Sequence, residues 1–152
     1  MDEKRVVQSN RNEEAIMSTG RTQKRLRFDR SEVHEEADGQ CRVEVTFTLN
    51  ERIITGSAIG ACDGAGRLRA AAAAALNAVE DTVQRQFTCT LADLDHVNAL
   101  GKDLIGVLVD VTFEAKEMQV FGSCQIADNE TDAAVKAALN ATNRFFELAM
   151  RA

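Results

Sequence analysis

The chain has 152 residues, a net charge of −6 and a hydrophobic fraction of 45 %. This length suits one domain that buries about two-thirds of its unfolded surface. The acidic balance disfavours a large nucleic-acid footprint, and no stretch approaches the roughly 20 apolar residues of a membrane span. The opening residues, Met1 to Arg5, are polar, so we expect no secretory signal and a cytoplasmic location.

Residues 1–24 have little hydrophobic periodicity and are predicted to form a flexible polar tail. From residue 25 a strand is predicted to run to a turn at Asp38 and Gly39. The next strand alternates apolar and polar residues from Val43 to Leu49, the pattern of a half-buried strand. The chain then reverses at Asn50 and Glu51.

The third predicted strand runs from Ile53 to Gly60 and places only small residues, Gly56, Ala58 and Gly60, on one face. Such a face lets another group approach the backbone closely. We therefore expect either the following helix or a ligand to pack there. The helix is predicted over residues 67–85, with an amphipathic stripe. The stripe consists of Leu68, Ala72, Ala75, Leu76, Val79 and Val83.

The second half repeats this plan with predicted strands over residues 91–98, 107–113 and 118–126 and a final helix. Residues 43–47 return as 109–113, and Gly56-Ser57 returns as Gly122-Ser123, both at an offset of 66. Residues 75–78 return as 138–141 at an offset of 63, so we expect the turn before the second helix to be three residues shorter. The prediction is an α+β fold of tandem β-β-β-α units, over residues 25–86 and 87–152, with antiparallel strands covered on one face by two helices.

The glycine-rich segment between the third strand and the first helix is the leading candidate for a ligand site. Backbone N–H groups, the helix dipole and nearby arginines could hold an anion there, although no nucleotide-binding motif is present. A purely structural turn is the alternative. The first set of candidate ligand residues is Gly60, Asp63, Gly64, Gly66, Arg67 and Arg69.

The start of the final helix supplies the second set of candidate ligand residues, namely Asp128, Asn129 and Asp132. These are also typical capping residues. Asn77 and Asn140 occupy matching helix positions, where they could line a shared polar pocket, bond across a pseudo-twofold axis or cap loops.

The remaining chemistry-bearing residues favour structural roles. His96 has acidic neighbours but no nucleophile to activate, and His34 lies in an acidic cluster predicted to be a solvated strand edge. The four cysteines lack metal-site spacing and are interpreted as separate, mostly buried side chains in a reducing compartment; they are Cys41, Cys62, Cys89 and Cys124. We assign no catalytic residue, metal site or cofactor.

The two β-β-β-α units, each with a small-residue strand leading through a polar turn into an alanine-rich helix, resemble the C-terminal regulatory domain of 2-isopropylmalate synthase and citramalate synthase. The resemblance covers roughly residues 25–150. In that family a G-P-V-D-A type segment enters the helix; residues 132–134 are the nearest match in the second unit, and residues 67–70 occupy that place in the first. The catalytic barrel of those enzymes is absent.

What the resemblance implies is a dimerising, small-ligand-sensing module. We therefore expect a non-enzymatic homodimer that binds a small effector or a protein partner in a regulatory role. One alternative is an assembly or scaffold protein that recruits a larger partner through its sheet face and N-terminal tail. Another is an RNA-associated module using Arg21, Arg25, Arg27 and Arg30, although the acidic balance and the absence of Tyr and Trp weigh against it.

Overall fold

The computed structural model describes residues 25–151, and the predicted tail at 1–24 lies outside this range. Within these described residues, two three-stranded antiparallel sheets and two α-helices form the fold, which confirms the α+β prediction. The first unit contains β1 (Arg27–Glu35), β2 (Gln40–Leu49), β3 (Arg52–Ala61) and α1 (Gly64–Thr82). The second contains β4 (Phe87–Ala99), β5 (Lys102–Phe113), β6 (Lys116–Gln125) and α2 (Glu130–Arg151). No helix in the described range is both long and apolar enough to cross a membrane.

Each sheet is a meander with the strand order of the sequence, β1-β2-β3 and β4-β5-β6. Three tight reversals have consecutive residues at positive φ, the geometry of a two-residue hairpin turn that follows strand twist. The pairs are Asn50-Glu51, Leu100-Gly101 and Glu114-Ala115. In this order β3 is an edge strand of the first sheet and β4 is an edge strand of the second. Both strands contact α1, so the two edges face the same helix.

The core lies where the inner sheet faces meet the two helices. The period of two is confirmed in β2, where Val43, Val45 and Phe47 are fully buried. It is also confirmed in β5, where residues 107, 109 and 111 are fully buried and Phe113, at the end of the strand, is partly buried. All six residues of the predicted α1 stripe are buried, and α1 also contacts α2. An alanine-rich surface permits these close approaches because alanine adds little side-chain volume.

Gly56 and Gly122 confirm the duplication at atomic level. A Cβ atom on Gly56 would lie 2.2 Å from the carbonyl oxygen of Ala74, and one on Gly122 would lie 2.3 Å from that of Ala137. The strand offset is 66 and the helix offset 63, as the sequence repeat requires. The helix, rather than a ligand, is therefore what approaches the small face of the third strand at this point.

The three-residue difference between the units lies within the helix and not in the turn before it, which corrects the sequence prediction. Asp63 follows Gly56 by seven residues, and Asn129 follows Gly122 by the same number (63 − 56 = 129 − 122 = 7). Both side chains accept a backbone hydrogen bond in the first helical turn. The first helix therefore begins at Gly64, before the predicted Arg67, and has one additional turn between its N-terminal cap and the repeated segment at residues 75–78, although α2 is the longer helix overall.

Candidate functional site

A groove of about 600 Å³ opens beside the glycine-rich turn, between the edges of β3 and β4 and against the first half of α1. We call it the α1 groove. Four of the nine predicted ligand residues line it: Gly60, Asp63, Gly66 and Arg69. The other lining residues are Ile59, Ala61, Ala65, Ala70, Ala73, Thr90 and Leu91.

Glycine is required at two points of the groove because main chain meets main chain there. A Cβ on Gly66 would lie 2.2 Å from the carbonyl oxygen of Ala61, and one on Gly60 would lie 2.7 Å from that of Gly66. The additional turn of α1 is thereby held against the end of β3. The two glycines therefore have a structural role, whatever the groove binds.

Asp63 occupies the helix N-terminus that the sequence suggested as an anion site. Its carboxylate accepts a hydrogen bond of 2.6 Å from the N–H of Gly66. A capping carboxylate satisfies a free helical N–H and places negative charge at the positive end of the dipole. This arrangement disfavours an anion there, so the groove suits an uncharged occupant better.

Arg69 crosses from α1 to β4. Its guanidinium donates to Oδ1 of Asp93 at 3.0 Å and to the carbonyl oxygen of Leu94 at 3.5 Å. The Arg69 hydrogen bond, together with the N–H of Leu94, lowers the pKa of Asp93 below its ordinary value. Arg69 therefore holds the edge of the groove in place, with its charge already matched.

The other predicted ligand residues lie outside the α1 groove lining. Gly64 is exposed at the start of α1, and the N–H of Arg67 bonds the carbonyl of Asp63 at 3.0 Å. Asn129 caps the start of α2 by accepting a hydrogen bond from the N–H of Asp132, and the carboxylate of Asp132 accepts a 3.0 Å bond from the hydroxyl of Ser31. Asp128 immediately precedes these residues. The structure therefore does not bring the second set together with the first.

Sequence reasoning missed the contribution of β4 to the site. Thr90 and Leu91 form one wall, although they lie more than 20 residues from the glycine-rich turn. Their own neighbourhood in the sequence carries no signal for binding. Ile59, on the opposite wall, did carry one, because the strand alternation places this apolar side chain on the same face as Thr55 and Ser57. In the structure its side chain is 58 % exposed.

The matching asparagines bond the backbone of the adjacent edge strands. The amide nitrogen of Asn77 donates to the carbonyl oxygen of Ser57 at 2.9 Å, and the amide oxygen of Asn140 accepts from the N–H of Ser123 at 3.0 Å. Neither bond crosses between units. Each asparagine instead covers one main-chain group of an exposed sheet edge.

The interpretation of four separate cysteines is wrong for Cys41 and Cys62, which form a disulfide with a Cα–Cα distance of 5.0 Å. The pairing follows from the register, since Cys41 lies opposite Gly60 and the N–H of Cys62 bonds the carbonyl of Gly39. Cys89 and Cys124 are free. Burial, followed by the charge of Glu80, raises the pKa of the Cys89 thiol to about 12, which keeps it protonated and unreactive at neutral pH.

Both histidines lie beside carboxylates on exposed faces. His96 contacts Glu130, and Nε2 of His34 lies 3.4 Å from Glu32 and 3.6 Å from Glu44. In the strand register His34 lies opposite Arg42, and Glu44 is its diagonal neighbour on β2, a contact that the local sequence did not indicate. Both contacts fit a solvated, charged surface.

The arginines of the RNA hypothesis that fall in the described range are paired with acids. Arg25 contacts Glu147 at 2.8 Å, Arg27 contacts Asp29 at 3.2 Å and Arg30 contacts Glu32 at 3.4 Å. Arg21 lies outside that range. Such pairing reduces the positive field that a phosphate backbone needs.

No protein-family model matches the chain, and no curated protein matches it. The geometry of the site is therefore the basis for assigning a role to the chain.

Proposed function

We propose that this chain is a non-enzymatic regulatory module that forms a homodimer and binds a small effector or a protein partner in the α1 groove. The observation that carries the proposal is the groove itself. Its volume falls within the range of about 300–1,000 Å³ typical of ligand sites, and small apolar side chains form most of its lining. The resemblance to the regulatory domain of 2-isopropylmalate synthase supports the same role and the dimer.

A binding role is favoured over catalysis because the ionisable groups of the groove are engaged in structure. Asp63 caps α1, and the side chain of Arg69 is bonded to Asp93. A general base needs a free carboxylate or imidazole within reach of a substrate. The groove offers chiefly shape and main-chain polarity instead.

Two measurements on the full chain test the proposal. Light scattering after size exclusion should give the mass of a dimer. Thermal-shift screening of amino acids, keto acids and nucleotides should find a compound that raises the melting temperature of the wild type but not of Ala73→Leu, which narrows the groove. A monomer that no compound stabilises would contradict the proposal in its ligand form.

Exposed apolar residues on the outer sheet faces support a scaffold role as a second candidate. Ile53 is 75 % exposed and Phe121 is 60 % exposed. Deletion of residues 1–24 separates the two candidates. Loss of partner capture with unchanged dimerisation would favour recruitment through the tail and sheet face.

Location in the cytoplasm remains part of the proposal, and the disulfide provides its test. Disulfides are rare in reducing compartments and persist in oxidising ones. Thiol titration of protein isolated under rapid alkylation should reveal whether Cys41 and Cys62 are reduced in the cell. A fully oxidised pair would favour an oxidising compartment instead.

A further inference from the structure

We propose that the α1 groove binds an extended peptide segment, which adds a strand between β3 and β4 and joins the two sheets. The inference rests on the proposed binding role of the groove and names the class of its occupant. It follows from the direction in which the main-chain groups of the two edge strands point.

On the β3 side, two hydrogen bonds fix that direction. In an antiparallel strand both main-chain groups of a residue point to one side, and successive residues point to opposite sides. The carbonyl of Ser57 points away from β2, because Asn77 of α1 reaches it. The N–H of Cys62 points toward β2, because it bonds Gly39. Counting along the strand from Ser57 or back from Cys62 gives the same result. The N–H and C=O of Ile59 lie on the outer edge of β3 and face the groove.

On the β4 side, the N–H of Cys89 donates to the carboxylate of Glu80 in α1 at 2.6 Å rather than to a neighbouring strand. This bond shows that Cys89 points away from β5. Leu91, two residues later and before the bulge at Ala92, therefore points the same way. Thus Ile59 and Leu91 present donors and acceptors from opposite walls of one groove.

Neighbouring edge positions are covered, whereas these two are open. Asn77 covers Ser57, and Glu80 covers Cys89. Within residues 25–151, β3 pairs with β2 alone and β4 with β5 alone, and no turn or cap bond reaches the main chain of Ile59 or Leu91. Side chains of α1 thus bond the main chain of each edge strand beside the groove. Within the groove, the main-chain groups of Ile59 and Leu91 are left free.

An occupant must satisfy an N–H and a C=O on each wall. A small acid offers chiefly acceptors, and the capping carboxylate of Asp63 opposes its charge. An extended peptide carries alternating donors and acceptors on both of its edges, which is the basis of recognition by strand addition. The small floor residues Gly66, Ala70 and Ala73 leave room for its side chains.

The experiment uses the full chain labelled with ¹⁵N and a capped five-residue peptide of alternating threonine and valine as the probe. Binding should shift the amide signals of both Ile59 and Leu91 and slow their hydrogen exchange at least tenfold. A peptide N-methylated at alternate residues lacks donors on one edge and should bind at least tenfold more weakly.

Ile59→Pro removes the outward N–H without removing a bond to β2, a change that edge strands tolerate. It should weaken peptide binding at least tenfold, whereas Gln125→Pro at the matching position of β6 should leave binding unchanged. Ala73→Leu narrows the floor of the groove without altering either edge strand and should also weaken peptide binding. It tests the groove independently if Ile59→Pro proves to have a folding defect.

Shifts at one wall only, equal binding of the N-methylated peptide, or no shift at millimolar peptide would each overturn strand addition. If the peptide fails while a small compound stabilises the protein through the same groove, the regulatory proposal stands and only this inference falls.

Discussion

The two β-β-β-α units share a packing scheme but differ where the third strand meets the helix. In the first unit, α1 has an additional turn, the disulfide Cys41–Cys62 closes the hairpin beneath it, and the α1 groove opens toward β4. In the second unit the positions matching these cysteines are Val107 and Asp128, and Asp132 is bonded to Ser31 of β1. The two units thus share the contacts of the core and differ at the N-terminal ends of their helices.

Substitution of the packing glycines should have the largest effect and should be alike in both units. Gly56→Val and Gly122→Val each drive a side chain into a helix carbonyl oxygen, so each should lower the free energy of unfolding by about 3 kcal/mol. The loss in free energy of unfolding is measured by urea denaturation followed by circular dichroism. Gly64→Ala is the control, because open space surrounds it, and it should stabilise by about 0.5–1 kcal/mol. If valine destabilised one unit but not the other, the glycine–helix contacts of the two units would not be equivalent.

Removal of the disulfide should affect the first unit alone. The bridge spans 21 residues, for which loop-closure entropy suggests a loss of about 3 kcal/mol in the Cys41→Ser, Cys62→Ser double variant. Hydrogen exchange should show opening concentrated in β2 and β3. The same melting temperature with and without reductant in the wild type would contradict this.

The asparagines that cover the sheet edges should contribute smaller and similar amounts. Asn77→Ala and Asn140→Ala each remove one hydrogen bond to an edge strand, at a cost of about 1 kcal/mol. The double variant should lose the sum, because each bond stays within its own unit. Strong non-additivity in a thermodynamic cycle would point to coupling between the edges.

The smallest effect concerns acid sensitivity at the groove. Because its folded pKa is lowered, Asp93 contributes stability above its unfolded pKa and loses it as pH falls through the folded pKa. Arg69→Met should raise the pKa of Asp93 toward its ordinary value, as followed by carboxyl-carbon NMR titration. Asp29, whose pKa is lowered mainly by the hydroxyl of Thr48, is the control and should not change. A shift at Asp29 would indicate a general structural effect.

One side of the groove could be predicted from the sequence, and the other side could not. The glycine-rich turn drew attention to Gly60, Asp63, Gly66 and Arg69, and all four line the groove. Their roles could not be anticipated, because capping by Asp63 and the bridge from Arg69 to Asp93 depend on contacts between elements. Thr90 and Leu91 carry no local pattern and become part of the site only when α1 packs against β4.

The sequence by itself determined the duplicated architecture, since hydrophobic periodicity and repeated glycines are local properties that specify strand faces and close helix contacts. Tertiary structure alone decided the pairing of Cys41 with Cys62, the position of the extra helical turn and the walls of the groove. These features depend on strand register and on helix placement, which bring distant residues together through the packing of the whole core.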